Sequence, residues 1–162
     1  MLRPAKPEDI SRIAEILIFA KRMAYRPIFQ NDWVSFNEMQ VLPLAAELEK
    51  PGVLRRWLVY DDGIIRGVME RGEPEEPGLS DSLQLISFFV DPFFQQMGYG
   101  RQMMEQFIRE ASAAGYKQLL LWVLEKNDRA RRFYENAGFF PDGARKLEEG
   151  TPEYILRYRK KL

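Results

Sequence analysis

The stretch LISFFVDPFFQQMGYGRQMMEQF, residues 85–107, joins an apolar run to the start of a helix through a turn with two glycines. The run has the length of a strand, and nearly continuous apolar content is typical of a strand covered on both faces. One apolar face then recurs at helical spacing, at Met104, Phe107, Ile108 and Ala111. Gly115 suits the end of that helix. The stretch therefore predicts a strand, a glycine turn and a helix.

A second strand and a second helix follow directly. KQLLLWVLE, residues 117–125, is again an apolar run of strand length, and Asn127 or Asp128 is suited to cap the next helix. That helix is expected to end at Gly138 and to bury a stripe formed by Ala130, Phe133, Tyr134 and Ala137. A strand, helix, strand sequence of this kind predicts two parallel strands joined by a right-handed crossover.

The flanking regions complete an α/β pattern. Residues 7–22 predict a first helix, which Pro27 is expected to break, and residues 35–50 predict a weaker helical region. Residues 57–70 predict a hairpin around Asp61-Asp62-Gly63, because Gly63 tolerates the positive φ of a tight turn. A loop with Pro74 and Pro77 and a final strand pair (139–147 and 153–161) follow. We expect one domain, residues 1–162, with a mixed central sheet flanked by helices on both faces.

Composition excludes several classes of function. Lys plus Arg and Asp plus Glu both number 24, so the net charge of +0 lacks the basic footprint of a general nucleic-acid binder. The chain has no Cys and no His, which excludes disulfides, a Cys nucleophile, His-based triads and most transition-metal sites. No apolar segment approaches transmembrane length, and we expect a cytoplasmic protein without metal, membrane or nucleic-acid partners.

The glycine turn has the chemistry of an anion site. A turn that leads from a strand into a helix presents backbone N–H groups and the positive end of the helix dipole. Gly98 and Gly100 carry no Cβ to obstruct an oxyanion, and Arg101 adds a cation. A Rossmann fingerprint would need glycine in place of Met103, and a P-loop would need Gly-Lys-Ser/Thr, so neither fits. From the glycines alone, an ordinary tight turn remains an equal alternative.

Two signatures in this order resemble the GCN5-related N-acetyltransferase (GNAT) family. Residues 95–100, QQMGYG, resemble its Gln/Arg-x-x-Gly-x-Gly/Ala motif. The segment VLEKNDRARRFYENAGF resembles its second motif, with Asn127, Ala130, Phe133, Tyr134, Gly138 and Phe139 in the familiar order. The resemblance is strong over residues 83–140 and looser over the rest of the chain.

The resemblance implies direct transfer of an acetyl group from acetyl-CoA to an amine. The pyrophosphate would be held by backbone N–H groups of Gln95, Gln96, Met97, Gly98, Tyr99, Gly100 and Arg101. The pantetheine arm would pair with the end of the preceding strand, at Phe88, Phe89 and Val90, and the N–H of Val90 would stabilise the thioester oxygen. Asn127 would contact the cofactor arm. Tyr134 would be the general acid that protonates the departing thiolate, although a core aromatic role is the alternative.

The general base and the acceptor are less determined. Some relatives carry Glu on the strand before the glycine turn, but here Gln84 and Ser87 are the polar residues of that strand. We therefore expect the amine proton to pass through a water to a carboxylate. Glu70, Asp81 and Glu125 are candidate ends of the relay, with a solvated surface acid as the preferred interpretation of each.

Two further features bear on the acceptor. Acidic residues around the hairpin end (Glu70, Glu73, Glu75, Glu76 and Asp81) favour a cationic acceptor such as a polyamine or basic peptide. Tyr25, Phe29 and Trp33 are expected either to line an acceptor groove or to pack on the sheet. The main hypothesis is an N-acetyltransferase acting on a primary amine through a ternary complex, and a homodimer is compatible with it. The alternative is a non-catalytic acyl-CoA-binding or interaction module.

Overall fold

A computed structural model of the chain describes residues 1–76 and 78–162, with the side chain of Glu38 outside the description. The α-helices of this part are α1 (Ile10–Phe29), α2 (Val41–Leu48), α3 (Tyr99–Ala113) and α4 (Asp128–Asn136). The strands are β1 (Leu2–Pro4), β2 (Trp57–Asp61), β3 (Ile65–Gly72), β4 (Ser82–Val90), β5 (Gln118–Leu124), β6 (Phe140–Leu147) and β7 (Tyr154–Lys161). Short 3-10 turns lie at Pro7–Asp9, Leu54–Arg56 and Pro92–Phe94, and a π-helix lies at Val34–Glu38.

The strands form one mixed seven-stranded sheet in the order β1-β2-β3-β4-β5-β7-β6. β4 and β5 are parallel, with residues 82–85 opposite residues 118–121. The β2–β3 and β6–β7 pairs are antiparallel, and β7 is inserted between β5 and β6. The predicted α/β class, mixed sheet, hairpin and parallel pair are therefore confirmed.

Contacts along the chain define two compact units. The first unit comprises Met1–Glu70 with Ser87–Gln106, and the second comprises Arg71–Ile86 with Phe107–Leu162. The predicted proline-rich loop, between β3 and β4, belongs to the second unit, and its Pro77 lies outside the described residues.

The first unit has helices on both faces of the β2–β3 hairpin. One face packs on α1 and α2 in a core of Ile10, Ile13, Ala14, Ile16, Leu17, Leu48, Trp57, Val59 and Val68. The neighbour of Val68, Gly67, faces α3 instead, since a Cβ on Gly67 would lie 2.6 Å from the Met103 sulfur. Successive residues of a strand point to opposite faces, so α1 and α2 cover one face and α3 covers the other.

The second unit is centred on β5, whose Leu119, Leu120 and Leu121 are fully buried. Tyr158 of β7 lies opposite Leu121 and is also fully buried. Its hydroxyl accepts from Nε of Arg131 at 3.1 Å and donates to Oε1 of Glu135 at 2.8 Å. These bonds attach α4 to β7.

The first helix differs from its prediction. It begins at Ile10, after a 3-10 turn, and continues through Pro27 to Phe29. Proline removes one N–H and crowds the preceding turn. Pro27 stands in the last turn, where few bonds remain to be lost, and Gln30 closes the helix with φ 49 and an N–H donated to Arg26.

Two other expectations were wrong, and one strand was not predicted. β4 is not covered on both faces along its length: Leu83 and Leu85 are buried, but Ile86 is 41% exposed. The predicted stripe of Ala130, Phe133, Tyr134 and Ala137 is half-buried rather than buried. The short helix α4 ends at Asn136 and has no buried residue. β1 was not predicted, because three residues carry no periodicity; its pairing with β2 places it at the sheet edge.

Candidate active site

The turn between β4 and α3 contains two residues with positive φ, Gln96 at 64° and Gly98 at 88°. Glycine adopts this conformation without the steric cost that a side chain brings. A Cβ on Gly98 would meet nothing closer than Nε2 of Gln102 at 3.8 Å, so Gly98 is needed for its conformation and not for space. Gly100 lies in the first turn of α3, where alanine would favour the helix more. Backbone conformation therefore does not explain why residue 100 is glycine.

The start of α3 presents backbone donors. The carbonyl of Gly98 accepts from the N–H of Gln102 at 3.1 Å. The N–H groups of Tyr99, Gly100 and Arg101 therefore precede the first helical bond, where a helix has no acceptor of its own for them. They coincide with the positive end of the helix dipole, which favours an anion.

Asp91 braces the turn from the β4 side and is only 2% exposed. Its Oδ1 accepts from the N–H of Phe93 at 2.9 Å, and its Oδ2 pairs with Nη2 of Arg12 on α1. Its own N–H donates to the carbonyl of Arg66 on β3 at 2.8 Å. The carboxylate is therefore held by its own turn and by α1, and the backbone of Asp91 is held by β3. Sequence reasoning missed Asp91 and Arg12, although an Asp before Pro92 is a recognisable capping signal.

Arg66 braces the turn from β3. Its guanidinium carbon lies 4.0 Å from the Phe94 ring centroid and 5.6 Å from that of Tyr99, while its Nε pairs with Oδ1 of Asp62 at 2.9 Å. The Phe94 and Tyr99 rings meet edge to face at 6.3 Å, and Tyr60 lies 5.8 Å from Tyr99. The aromatic residues on both sides of Gly98 are thus fixed by a cation.

The remaining turn side chains are peripheral. Nε of Arg101 pairs with Oε1 of Glu105 at 2.8 Å, and this Arg side chain is 83% exposed. Such a surface ion pair is weak and exchanges readily, so Arg101 can turn to a bound anion. Nε2 of Gln95 donates to the carbonyl of Val90 at 3.3 Å, which links the turn to the strand end. Met97 is exposed.

The strand end that precedes the turn has one side directed at α1. The Phe89 ring lies 6.2 Å from that of Tyr25, which in turn lies 5.5 Å from Phe29. Phe88, Phe89 and Val90 are half-buried. Trp33, the third predicted groove residue, is 67% exposed. Tyr25 therefore contacts the sheet, whereas Trp33 faces solvent.

The second signature lies in the second unit. The Asn127 side chain caps α4, with Oδ1 accepting from the N–H of Ala130 at 3.1 Å, as predicted. Its amide NH₂ is a donor that the cap does not use. The half-buried Tyr134 ring meets Phe133 at 5.4 Å and Phe139 at 6.0 Å.

Glu70 is not the solvated surface acid that the sequence favoured. It is 8% exposed, its Oε1 pairs with Nη2 of Arg56 at 2.9 Å, and its Oε2 accepts from Oγ of Ser87 at 3.3 Å. Burial raises the pKa of Glu70 above its ordinary value, and this outweighs the lowering by Arg56, Ser87 and Lys21. The position became buried because β3 carries it onto the face that packs against α1.

The other two relay candidates behave as surface acids. Asp81 is exposed at the start of β4. Glu125 pairs with Nη2 of Arg145 at 2.7 Å, and this bond lowers the pKa of Glu125 below its ordinary value. Over residues 1–76 and 78–162, no three acidic side chains cluster in a way that would hold a metal ion. In the same part of the chain, no helix combines the length and apolar character needed to cross a membrane.

Comparison with known proteins agrees with the fold. A probable N-acetyltransferase of Mycobacterium tuberculosis is 24% identical over 155 residues, which cover 88% of this chain and 80% of that protein. The ribosomal protein bS18-alanine N-acetyltransferase of Haemophilus ducreyi is 32% identical over 78 residues, 41% of this chain and 54% of that protein. The PaiA N-acetyltransferase of Thermoplasma acidophilum, solved with coenzyme A, superposes with a TM-score of 0.72 at 16% identity, covering 100% of this chain and 98% of that one.

The family model extends over both signatures. The acetyltransferase (GNAT) family model matches residues 19–139, 121 of the 162 residues. This range includes the second half of α1, the β2–β3 hairpin, the turn at Gly98 and the whole of α4. The chain belongs to the acetyltransferase (GNAT) family and is an N-acetyltransferase.

Proposed function

We propose that this protein transfers an acetyl group from acetyl-CoA to a primary amine within a ternary complex. The observation that carries the donor assignment is the turn at Gln96 and Gly98, whose two left-handed residues are braced by Asp91 and Arg66. A turn held in shape before the ligand arrives loses little entropy when it binds a pyrophosphate. We propose that backbone N–H groups of residues 95–101 donate hydrogen bonds to the pyrophosphate.

The chemistry assigns a task to each remaining site residue. Residues 88–90 offer strand hydrogen bonds to the amide groups of the pantetheine arm, and the N–H of Val90 stabilises the thioester oxygen as charge develops. Asn127 uses its free amide donors on the same arm. The amine nitrogen forms a bond to the carbonyl carbon, the carbon–sulfur bond breaks, and Tyr134 gives its proton to the departing thiolate.

A peptide amino terminus is the acceptor class that we propose. Relatives carry the name bS18-alanine N-acetyltransferase, and an alanine in a protein has an amino group only when it is the first residue. The first unit also exposes large apolar side chains between Phe19 on α1 and Leu42 on α2, namely Phe19, Met23, Trp33, Phe36 and Leu42. These side chains are close in sequence, and exposed apolar patches are typical of surfaces that bind another chain. The acidic residues Glu73, Glu75 and Asp81 are exposed and keep a polyamine as the competing acceptor.

Acetyl-CoA turnover against a small amine panel tests the function. The panel contains a hexapeptide beginning with alanine, the same peptide with a blocked amino terminus, and spermidine. We expect release of CoA thiol with the free peptide and none above background with the blocked one. Tight binding of CoA by calorimetry without turnover on either free amine would instead identify an acyl-CoA-binding module.

Two glycine substitutions test the acetyl-CoA site separately from the amine acceptor. Gly98→Ala is expected to lower the free energy of unfolding by about 1 kcal/mol, because alanine is strained at φ 88. Gly100→Ala is not expected to lower it, because alanine favours a helix. Both are expected to weaken CoA binding roughly tenfold or more, since loss of one or two charge-assisted hydrogen bonds is of that size.

Urea denaturation and calorimetric titration with CoA measure the two effects. A Gly100→Ala variant that binds CoA as tightly as the parent would contradict the close approach of phosphate to this backbone.

A further inference from the structure

Glu70 is a buried acid to which the chemistry above gives no task. It belongs to β3, two residues after Val68, which lies in the core formed with α1 and α2. Glu70 therefore projects from the same face of the sheet as Val68, opposite the face that Gly67 presents to α3. A carboxylate is expensive to bury, so its partners decide what it does there.

The partners of Glu70 come from three other elements. Arg56, at the end of the turn before β2, is half exposed and pairs with Oε1. Ser87 on β4 donates its hydroxyl to Oε2, and Lys21 on α1 adds a positive field. One oxygen is thus engaged by a half-exposed cation, and the other by a hydroxyl that can pass on a proton.

Ser87 directly precedes the residues that are proposed to pair with the pantetheine arm. It lies one residue before Phe88 and two before Phe89, so Ser87 and Phe89 share a face of β4. Phe89 contacts Tyr25 of α1 on this face. The hydroxyl of Ser87 therefore lies on the α1 side of the strand end, with Glu70 behind it and aromatic residues beside it.

We infer that the Ser87–Glu70 pair is the proton acceptor for the attacking amine. The inference rests on the proposed function and supplies the base that β4 itself lacks. As the amine nitrogen bonds to the carbonyl carbon, its proton passes to Oγ of Ser87, and the Ser87 proton passes to Oε2 of Glu70. Glu70 then releases the proton to solvent beside the exposed Arg56, while Tyr134 protonates the sulfur and is reprotonated by solvent.

The arrangement also sets when the base is active. Glu70 must be ionised to accept a proton, so kcat/KM should fall at low pH, and this fall is the acidic limb of the pH profile. Because the pKa of Glu70 is raised, the limb should lie at higher pH than an ordinary glutamate would give. Removal of Arg56 takes away a charge that favours the ionised form, so the limb should move to still higher pH. A purely structural ion pair would not link Arg56 to the pH profile.

The test compares Glu70→Gln, Ser87→Ala and Arg56→Ala with the control Glu125→Gln. Glu125 is also paired with an arginine, but it is a surface acid. The measurements are kcat/KM between about pH 5 and 9 with the alanine hexapeptide and spermidine, CoA affinity, and ¹³C NMR titration of labelled glutamate carboxyls. We expect E70Q to lower kcat/KM tenfold or more and to lose the acidic limb, with CoA affinity unchanged.

The other variants sharpen the result. S87A, which leaves the Arg56–Glu70 pair in place, should lower kcat/KM several-fold and carries the test if E70Q does not fold. R56A should move both the limb and the NMR titration of Glu70 to higher pH, and E125Q should behave as the parent. A folded E70Q variant with the parental kcat/KM and the parental pH profile would overturn the Ser87–Glu70 assignment without contradicting the proposed function. A parent protein that binds CoA but acetylates neither amine would overturn the proposed function together with it.

Discussion

Replacement of Tyr134 with phenylalanine is expected to slow acetyl transfer by about 10²-fold or more while leaving the fold and CoA affinity intact. The departing thiolate needs a proton, and the hydroxyl is the only group that this substitution removes. The half-buried ring keeps its contacts with Phe133 and Phe139, because phenylalanine fills the same volume. The loss should therefore appear in kcat, measured as CoA thiol release at saturating acetyl-CoA.

Tyr158→Phe is the matched control for this experiment. Tyr158 is fully buried between α4 and β7, and its hydroxyl is hydrogen-bonded to Arg131 and Glu135. Its loss should reduce the free energy of unfolding by about 1–3 kcal/mol because two polar partners are left without it. Equal rate losses in the two variants would mean that the Tyr134 effect is structural.

Asp91→Ala is expected to have the largest effect on stability, a loss of about 3 kcal/mol or more in the free energy of unfolding. The substitution removes the acceptor for the Phe93 N–H and the partner of Arg12 at a position that is 2% exposed. Because Asp91 begins the segment that leads into the glycine turn, CoA binding should weaken as well. Urea denaturation and calorimetry measure the two losses.

A double-mutant cycle with Arg12→Ala shows whether the loss comes from the ion pair. Arg12→Ala leaves the Asp91 charge buried with one bond fewer, so it should also destabilise. If the pair is responsible, the double variant should lose clearly less than the sum of the single variants. An additive result would place the effect in the cap of the Pro92–Phe94 turn.

Local patterns were sufficient where the chain's own geometry decides the structure. The apolar run before the glycines, the helical spacing after them and the cap at Asn127 depend on neighbours within a few residues, and all three appear as predicted. Pro27 is the local signal that was overridden. Packing of α1 in the core of the first unit stabilises the helix beyond what one missing hydrogen bond removes.

The sequence by itself determined the family and the glycine turn, because the residues of the turn are contiguous and glycine at Gly98 satisfies a local backbone requirement. Tertiary structure alone decided the order β5-β7-β6, since strand neighbours distant in sequence are chosen by packing. It also decided the environment of Glu70. Along the chain this acid precedes a run of exposed acids, yet β3, Arg56 and Ser87 enclose it, and burial changes its chemistry.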